Sequence, residues 1–539
     1  MPRLARGLAV VLAILVPCVL PSLATGQTPA PAVPAGAPRP GASSIGDPLY
    51  PAAGNGGYDV QRYDLALDVD VERGVIRQAT ARIEAVAVHS LSRFNLDLRG
   101  LDVESVAVDG VLAQWIHDDA ELEIIPAAPI ADGEAFTVAV SYSGDPGSNG
   151  VADRYQRGWL TADGTVYIAG EPGGAENWFP ANNHPEDAAA FTLRITVPAG
   201  TNVVAGGDLV AEISEGGRST FVYANDDEIP PYLATFAAGD FDVRTWDEYV
   251  DDRAVHVTYA FPQDATEREW AAVANTAEML RYFSGLFGPF PSDRIGGVVV
   301  DGFGAALETE EMVVYGRSAL EERTVAHEIA HHWFGNSVRL RRWSDIWLNE
   351  GIARYAEALW AEHTGGPAAR DRVLSDLAAA LERTSSNPAH AFAIGNPAAG
   401  DLFSGAIYNR GALAMHALRA ELSDDAFFRL LQEWHARNAG RAVTTAEFVD
   451  LAEEIAGRDL GAFFGRWLFE SALPDPLLPE ASDLATPVAA TPVPGHDAQG
   501  LTRFNWHRLA TLRPPDGVQA SERPSSGDGH GGRLPGRFG

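Results

Sequence analysis

The sequence predicts a multidomain protein: an all-β N-terminal domain followed by an α+β, mostly helical domain. Three observations carry that expectation. The chain has 539 residues, more than one hydrophobic core supports. Up to about residue 245, short runs of alternating apolar and polar residues recur between turn residues, with almost no helical period. From residue 320 onward nearly every run has helical spacing, and the first contains His327-Glu328-Ile329-Ala330-His331.

The N-terminus reads as an export signal over 1–26. Arg3 and Arg6 open it, residues 8–16 are apolar, and the small residues Ala24-Thr25-Gly26 close it. Pro17 interrupts the apolar run, so no stable membrane span is expected in the mature chain. Cys18 is the one cysteine of the sequence, and Pro17 precedes it where a lipidation signal requires a small residue, so lipid anchoring is not expected. Residues 27–45, rich in Pro, Ala and Gly, read as a linker.

The β-domain is expected over 46–245, with strands at 63–71, 80–88, 121–125, 136–142, 191–197 and 219–223. The second domain is expected over 246–474. It opens with a helix over 265–287 and a strand over 296–300. Helices then follow over 320–335, 349–364, 370–383, 405–422, 425–438 and 445–457. Residues 475–539 are dominated by Pro, Ala, Gly, Ser and Thr, which predicts a disordered tail. From residue 501 that tail carries six arginines against three acids. The rest of the chain is strongly acidic, with a net charge of -33, and every one of the 40 basic residues is arginine. Such a charge repels phosphate backbones, so no nucleic-acid partner is expected.

Residues four apart on a helix share a face, so His327 and His331 can present ring nitrogens to one metal ion. Glu328 lies about 100° further round, where its carboxylate reaches a water on the metal without taking a metal position. Zinc brings the pKa of such a water to about 7, so Glu328 is expected to take its proton and pass it to the leaving amine. After 18 intervening residues, Glu350 in Asn349-Glu350-Gly351 offers a third ligand and leaves a fourth position open. That is the layout of a catalytic zinc, one ion per chain. Ile329, Ala330, Trp333 and Phe334, with Ile346-Trp347-Leu348, set these carboxylates among apolar residues, where a buried charge needs a partner or a task. Glu357, two turns after Glu350 on the same face, is expected to accept the outer N–H of a ligand histidine.

The stretches His327 to Asn336 (HEIAHHWFGN) and Trp343 to Gly351 (WSDIWLNEG) resemble the aminopeptidase N and leukotriene hydrolase family of zinc peptidases. Gly46-Asp47-Pro48-Leu49-Tyr50-Pro51 and the run 54–60 resemble the start of the β-domain in short bacterial members. Phe463-Phe464-Gly465-Arg466-Trp467-Leu468 resembles the end of the catalytic domain, so the resemblance covers 46–474. It implies a thermolysin-like catalytic domain. The family's exopeptidase motif, Gly-Ala-Met-Glu-Asn on a sheet edge, is matched by Ala305-Ala306-Leu307-Glu308-Thr309. This makes Ala305, Ala306 and Leu307 substrate-binding and Glu308 the carboxylate that pairs with the substrate's free ammonium. The resemblance also implies a second amine-binding carboxylate at Glu171, in Gly170-Glu171-Pro172-Gly173-Gly174, and an oxyanion-stabilising hydroxyl at Tyr408.

Several positions depart from the family pattern. The exopeptidase motif's Gly, Met and Asn are replaced. His332 stands where glutamine is usual and lies off the ligand face. Arg354 occupies a site where a small polar residue is common. Only 65 residues follow Pro474, so the long C-terminal helical domain of larger members is not expected.

The expected function is that of an exported zinc-dependent aminopeptidase acting on peptides with a free N-terminus. A thermolysin-like endopeptidase shares the ligand set but needs no amine anchor. A non-catalytic peptide-binding protein on the same scaffold is a second alternative, and epoxide hydrolysis of a lipid, by family analogy, a third.

Overall fold

The alternation at 63–71 becomes the strand Tyr58–Asp70, in which Tyr63, Leu65, Leu67 and Val69 are buried and the intervening residues are half-exposed. In the computed structural model it sits at the centre of an eight-stranded sheet, antiparallel to Val75–Ala87 and parallel to Ala189–Pro198. The described residues are 36–148, 158–384 and 393–474, and all fall in one unit. The export segment with Cys18 and the tail 475–539 lie outside them.

Two four-stranded sheets complete the β-region. One holds Arg39–Pro40, Leu91–Asp97, Glu121–Ile125 and Gln114–Asp118, the other Gly158–Ala162, Thr165–Ala169, Phe236–Gly239 and Asn202–Ala205. Some of these strands carry no alternating signal, for a physical reason. Phe236–Gly239 is buried on both faces, while Asp208–Glu215, an edge strand of the large sheet, is exposed along nearly all its length.

Phe241–Val250 pairs with Arg253–Pro262 and opens a five-stranded sheet completed by Arg294–Val300, Val313–Gly316 and the edge strand Ala306–Leu307. The boundary expected at 245 falls inside this strand, so the second region begins at Phe241. Alternation alone cannot tell a strand that closes one sheet from a strand that opens the next. The single helix expected over 265–287 is two helices, Glu267–Ala272 and Thr276–Phe287. Thr266 and Glu269 form a capping box at the first. The Thr276 hydroxyl then donates to the Val273 carbonyl at 2.7 Å, competing with the helical ladder where the first helix ends.

The helical block holds Glu322–His331, Trp347–His363, Ala369–Thr384, Gly405–Leu422, Asp424–Asn438 and Thr445–Ala456. Val325, Ala326, Ile329 and Ala330 bury the first of these, and a side chain such as Ile329 contributes about 2 kcal/mol on burial. Trp347–His363 and Gly405–Leu422 cross at paired glycines. A Cβ on Gly351 would stand 2.9 Å from the Cα of Gly411, and one on Gly411 would stand 2.7 Å from the Cα of Gly351. Only residues without a Cβ let two backbones approach so closely.

Asp47 ties the β-region to this block. Its Oδ1 accepts from the Leu49 and Tyr50 N–H groups, and its Oδ2 accepts from the Trp343 N–H at 2.9 Å, just ahead of the helix that carries Glu350. No described helix is long and apolar enough to cross a membrane.

Candidate active site

Glu322–His331 presents both histidines on one buried face, and Trp347–His363 brings Glu350 in its first turn. His327 Nε2 lies 3.1 Å from His331 Nε2 and 3.2 Å from Glu350 Oε2, which is 3.5 Å from His331 Nε2. The outer ring nitrogens settle the tautomers. His331 Nδ1 donates to the Phe334 carbonyl at 3.1 Å and His327 Nδ1 to Glu357 Oε1 at 3.0 Å. Both partners only accept, so each neutral ring turns an Nε2 lone pair toward the point that Glu350 also faces.

Three acceptors converging on one point require a cation. Their separations are close to the edges of about 3.3–3.6 Å of a tetrahedron whose ligands lie about 2.0–2.2 Å from zinc. The donor set of two imidazoles and a carboxylate suits that ion. Before metal binds, protons compensate the negative charge. Burial pulls the His327 pKa down, but hydrogen bonds to Glu350 and Glu357 outweigh it and hold the group up at about 10. His331 is held at about 9 against burial by Glu308 and Glu350. Burial pushes Glu350 up, and the two imidazoles more than offset this, holding it at about 2.

Glu328 is buried, with no hydrogen-bond partner on Oε2. Burial, partly offset by His327 and His331, pushes its pKa up to about 8. Glu308 follows the edge strand Ala306–Leu307, and Glu171 stands in the Gly/Pro-rich turn after Thr165–Ala169. Carboxylate oxygens of Glu171, Glu308 and Glu350 lie within 4.8 Å of one another, and all three residues are buried. Oε1 of Glu171 and Oε1 of Glu308 have no hydrogen-bond partner. Burial and then the neighbouring carboxylates raise Glu171 well above the usual carboxylate range. Burial raises Glu308 as well, against the pull of His331.

These side chains line one cavity of about 280 Å³. Every residue expected for the site lines it, namely Glu171, Ala305, Ala306, Leu307, Glu308, His327, Glu328, His331, Glu350, Glu357 and Tyr408. The Tyr408 ring lies over His327, with centroids 5.9 Å apart and planes 24° apart, and its hydroxyl feels the charge of Glu350. Burial, then Glu350 and Glu171, push its pKa well up, so the hydroxyl keeps its proton. The glycine crossing described above brings this helix so near to Glu350.

Arg354 is an ion-pair residue. Its Nη1 donates to both oxygens of Glu357, its Nε donates to Asn409 Oδ1 at 3.2 Å, and its Nη2 lies 3.4 Å from Asp376. Arg323, absent from the residues expected for the site, also lines the cavity, with its Nε 3.5 Å from Glu357 Oε2. Its position four residues before His327, on the same helical face, was the available signal. Burial pushes Glu357 up, but the His327 hydrogen bond and the arginines outweigh it and hold its pKa at about 2. His332 stays outside the ligand cluster. Its Nδ1 donates to the Glu328 carbonyl at 3.1 Å, and burial drives its pKa down to about 4, so the ring is neutral.

Residues 272–467 match the Peptidase family M1 domain. In structure the chain is similar to an M1 zinc metallopeptidase from Deinococcus radiodurans, with a TM-score of 0.74 and 31% identity over 80% of this chain and 98% of that one. A mutant M1 zinc metallopeptidase from the same organism, bound to a Tyr-Ser-Ala substrate, matches with a TM-score of 0.73 and 31% identity, over 80% of this chain and 99% of that one. Aminopeptidase N of Caulobacter vibrioides is 27% identical over 412 residues, 71% of this chain and 46% of that protein. Endoplasmic reticulum aminopeptidase 1 of Homo sapiens is 27% identical over 334 residues, 57% of this chain and 35% of that protein. The chain thus spans less than half the length of these two curated relatives.

Proposed function

Because the chain belongs to the M1 family of zinc metallopeptidases, we propose that it is an exported aminopeptidase that hydrolyses the first bond of peptides with a free N-terminus. The observation that carries this reading is the pair of buried carboxylates beside the ligand set, Glu171 and Glu308, each with an oxygen that accepts no hydrogen bond, with His331 Nδ1 3.9 Å from Glu308 Oε1. A substrate ammonium satisfies both, whereas an acylated amine leaves them unpaired. Holding the chain end there leaves only the first peptide bond in reach of the metal site.

His327, His331 and Glu350 would hold zinc, which would supply a Lewis acid able to acidify water and polarise a carbonyl. The protein's own groups do the rest. Glu328 accepts a proton from the attacking water and returns it to the leaving amine, and a pKa raised toward neutrality suits a group that must do both. The Tyr408 hydroxyl donates toward the carbonyl oxygen as negative charge develops on it. Glu357, itself gripped by Arg354, fixes the orientation of His327. The Tyr-Ser-Ala bound to the Deinococcus relative supports a peptide as the substrate class.

An aminoacyl anilide and its N-acetylated twin test the reading. The free amine is expected to be cleaved about 10²–10³-fold faster, the cost of leaving a buried charge unpaired. Preference for the blocked compound would instead make the protein an endopeptidase. Export rests on residues 1–26, and sequencing the N-terminus of the mature protein checks it. A start near Gln27 supports export, and retention of Met1 speaks against it.

A further inference from the structure

Glu308 opens the turn 308–312, which joins the edge strand Ala306–Leu307 to Val313–Gly316. Neither glycine nor proline shapes that turn. Its fourth residue, Glu311, has φ +60°, in the left-handed region that residues with a Cβ rarely adopt. A glutamate is unfavourable there unless its side chain is put to use, and strained residues of this sort gather at functional sites.

The Glu311 side chain is fully committed. Its Oε2 accepts the Gly207 N–H at 2.7 Å and its Oε1 accepts the Ser292 hydroxyl at 2.6 Å, with the residue buried. Gly207 lies between two strands of the β-region, Asn202–Ala205 and Asp208–Glu215, and Ser292 just precedes Arg294–Val300 of the five-stranded sheet. One carboxylate therefore fastens the turn to both regions. Other contacts support the same turn. The Thr309 hydroxyl donates to the Met312 carbonyl at 2.6 Å, and Asn336, just beyond the zinc-ligand helix, donates to the Glu308 carbonyl at 2.9 Å. Gly206 packs so close that a Cβ on it would lie 2.4 Å from the Glu310 carbonyl oxygen. At the tip of Glu308, by contrast, Oε1 has no hydrogen-bond partner. Its aim depends on the turn behind it.

We propose that Glu311 is the positioning residue for Glu308: clamped between Gly207 and Ser292, it holds the left-handed turn that aims Glu308 at the substrate ammonium. This rests on the aminopeptidase reading above.

Glu311→Gly removes the clamp while relieving the backbone, and Glu311→Gln keeps the shape and one acceptor oxygen. For a free-amine aminoacyl anilide, Glu311→Gly is expected to raise KM by roughly tenfold to a hundredfold, with kcat and zinc content much less affected. Its preference for the free amine over the N-acetylated compound is expected to fall in step. Glu311→Gln should restore most of both, and Ser292→Ala, which removes one of the two donors, should shift KM in the same direction by less. Glu308→Ala is the reference. If it leaves the preference intact, the amine-anchor reading fails and this inference falls with it. If it abolishes the preference while Glu311→Gly retains the parent KM and preference, the inference alone is wrong. Should Glu311→Gly not fold, a parent KM and an unchanged preference for the free amine in Ser292→Ala overturn it equally.

Discussion

Arg354 donates from one nitrogen to both carboxylate oxygens of Glu357, at 2.9 and 2.7 Å, and Glu357 in turn accepts the outer N–H of His327 at 3.0 Å. His327, proposed above as a metal ligand, is thus oriented by a carboxylate that is itself held. Glu357→Ala is expected to weaken zinc binding about 10–100-fold, and Arg354→Met to weaken it less. Competition against a chromophoric chelator measures both. Parent affinity in Glu357→Ala would remove that residue from the metal site.

Zinc binding should be coupled to proton release. Before metal binds, burial is outweighed by neighbouring carboxylates, which hold His327 and His331 up, at about 10 and about 9, so the histidine pair takes up protons that zinc must displace. Zinc needs both Nε2 lone pairs, so binding expels those protons. Apparent affinity is therefore expected to rise with pH from neutrality to about 9–10 and then level off. Calorimetric titration in two buffers of different ionisation heat counts the protons, and a count of zero at pH 7 contradicts this account.

Glu328→Gln is expected to lower turnover about 10²–10⁴-fold while zinc content stays at parent level. Tyr408→Phe should lower kcat about 10²–10³-fold, with KM and zinc content changed far less. Steady-state kinetics with metal analysis on the same samples separates these effects from loss of metal. Unchanged turnover in either variant would strip that residue of its role.

Gly411→Ala places a methyl group 2.7 Å from the Cα of Gly351, a backbone atom that no rotamer change can move aside. Overpacking of this kind costs about 1–3 kcal/mol. A lowered melting temperature is expected, together with reduced kcat, because Tyr408 rides on the same helix. Gly400→Ala, with open space around the new methyl, is the control. Equal melting temperatures for the two variants would show that the crossing tolerates a side chain.

The zinc-ligand set was legible in the sequence because a helix turns spacing into direction. His327 and His331 share a face at a separation of four, and Glu357 was found two turns after Glu350 by the same rule. The same rule places Arg323, four residues before His327, on that face. Other features were out of reach. Nothing in a Gly/Pro-rich turn says that Glu171 lies within 4.8 Å of Glu308, since that contact depends on how two separate sheets dock. The φ of Glu311 was hidden because glutamate gives no sign of left-handed backbone, and its cause, a clamp from Gly207 and Ser292, is tertiary. Phe236–Gly239 gave no strand signal because a strand buried on both faces does not alternate.

The two carboxylates proposed to face the substrate amine come from different parts of the chain, Glu171 from the β-region and Glu308 from the edge of the five-stranded sheet. Either part folded alone holds half of the cradle. On the aminopeptidase reading proposed above, the cradle for a substrate amine therefore exists only once the two parts have docked. The appearance of activity during refolding reports the docking of the two parts, not the completion of either one.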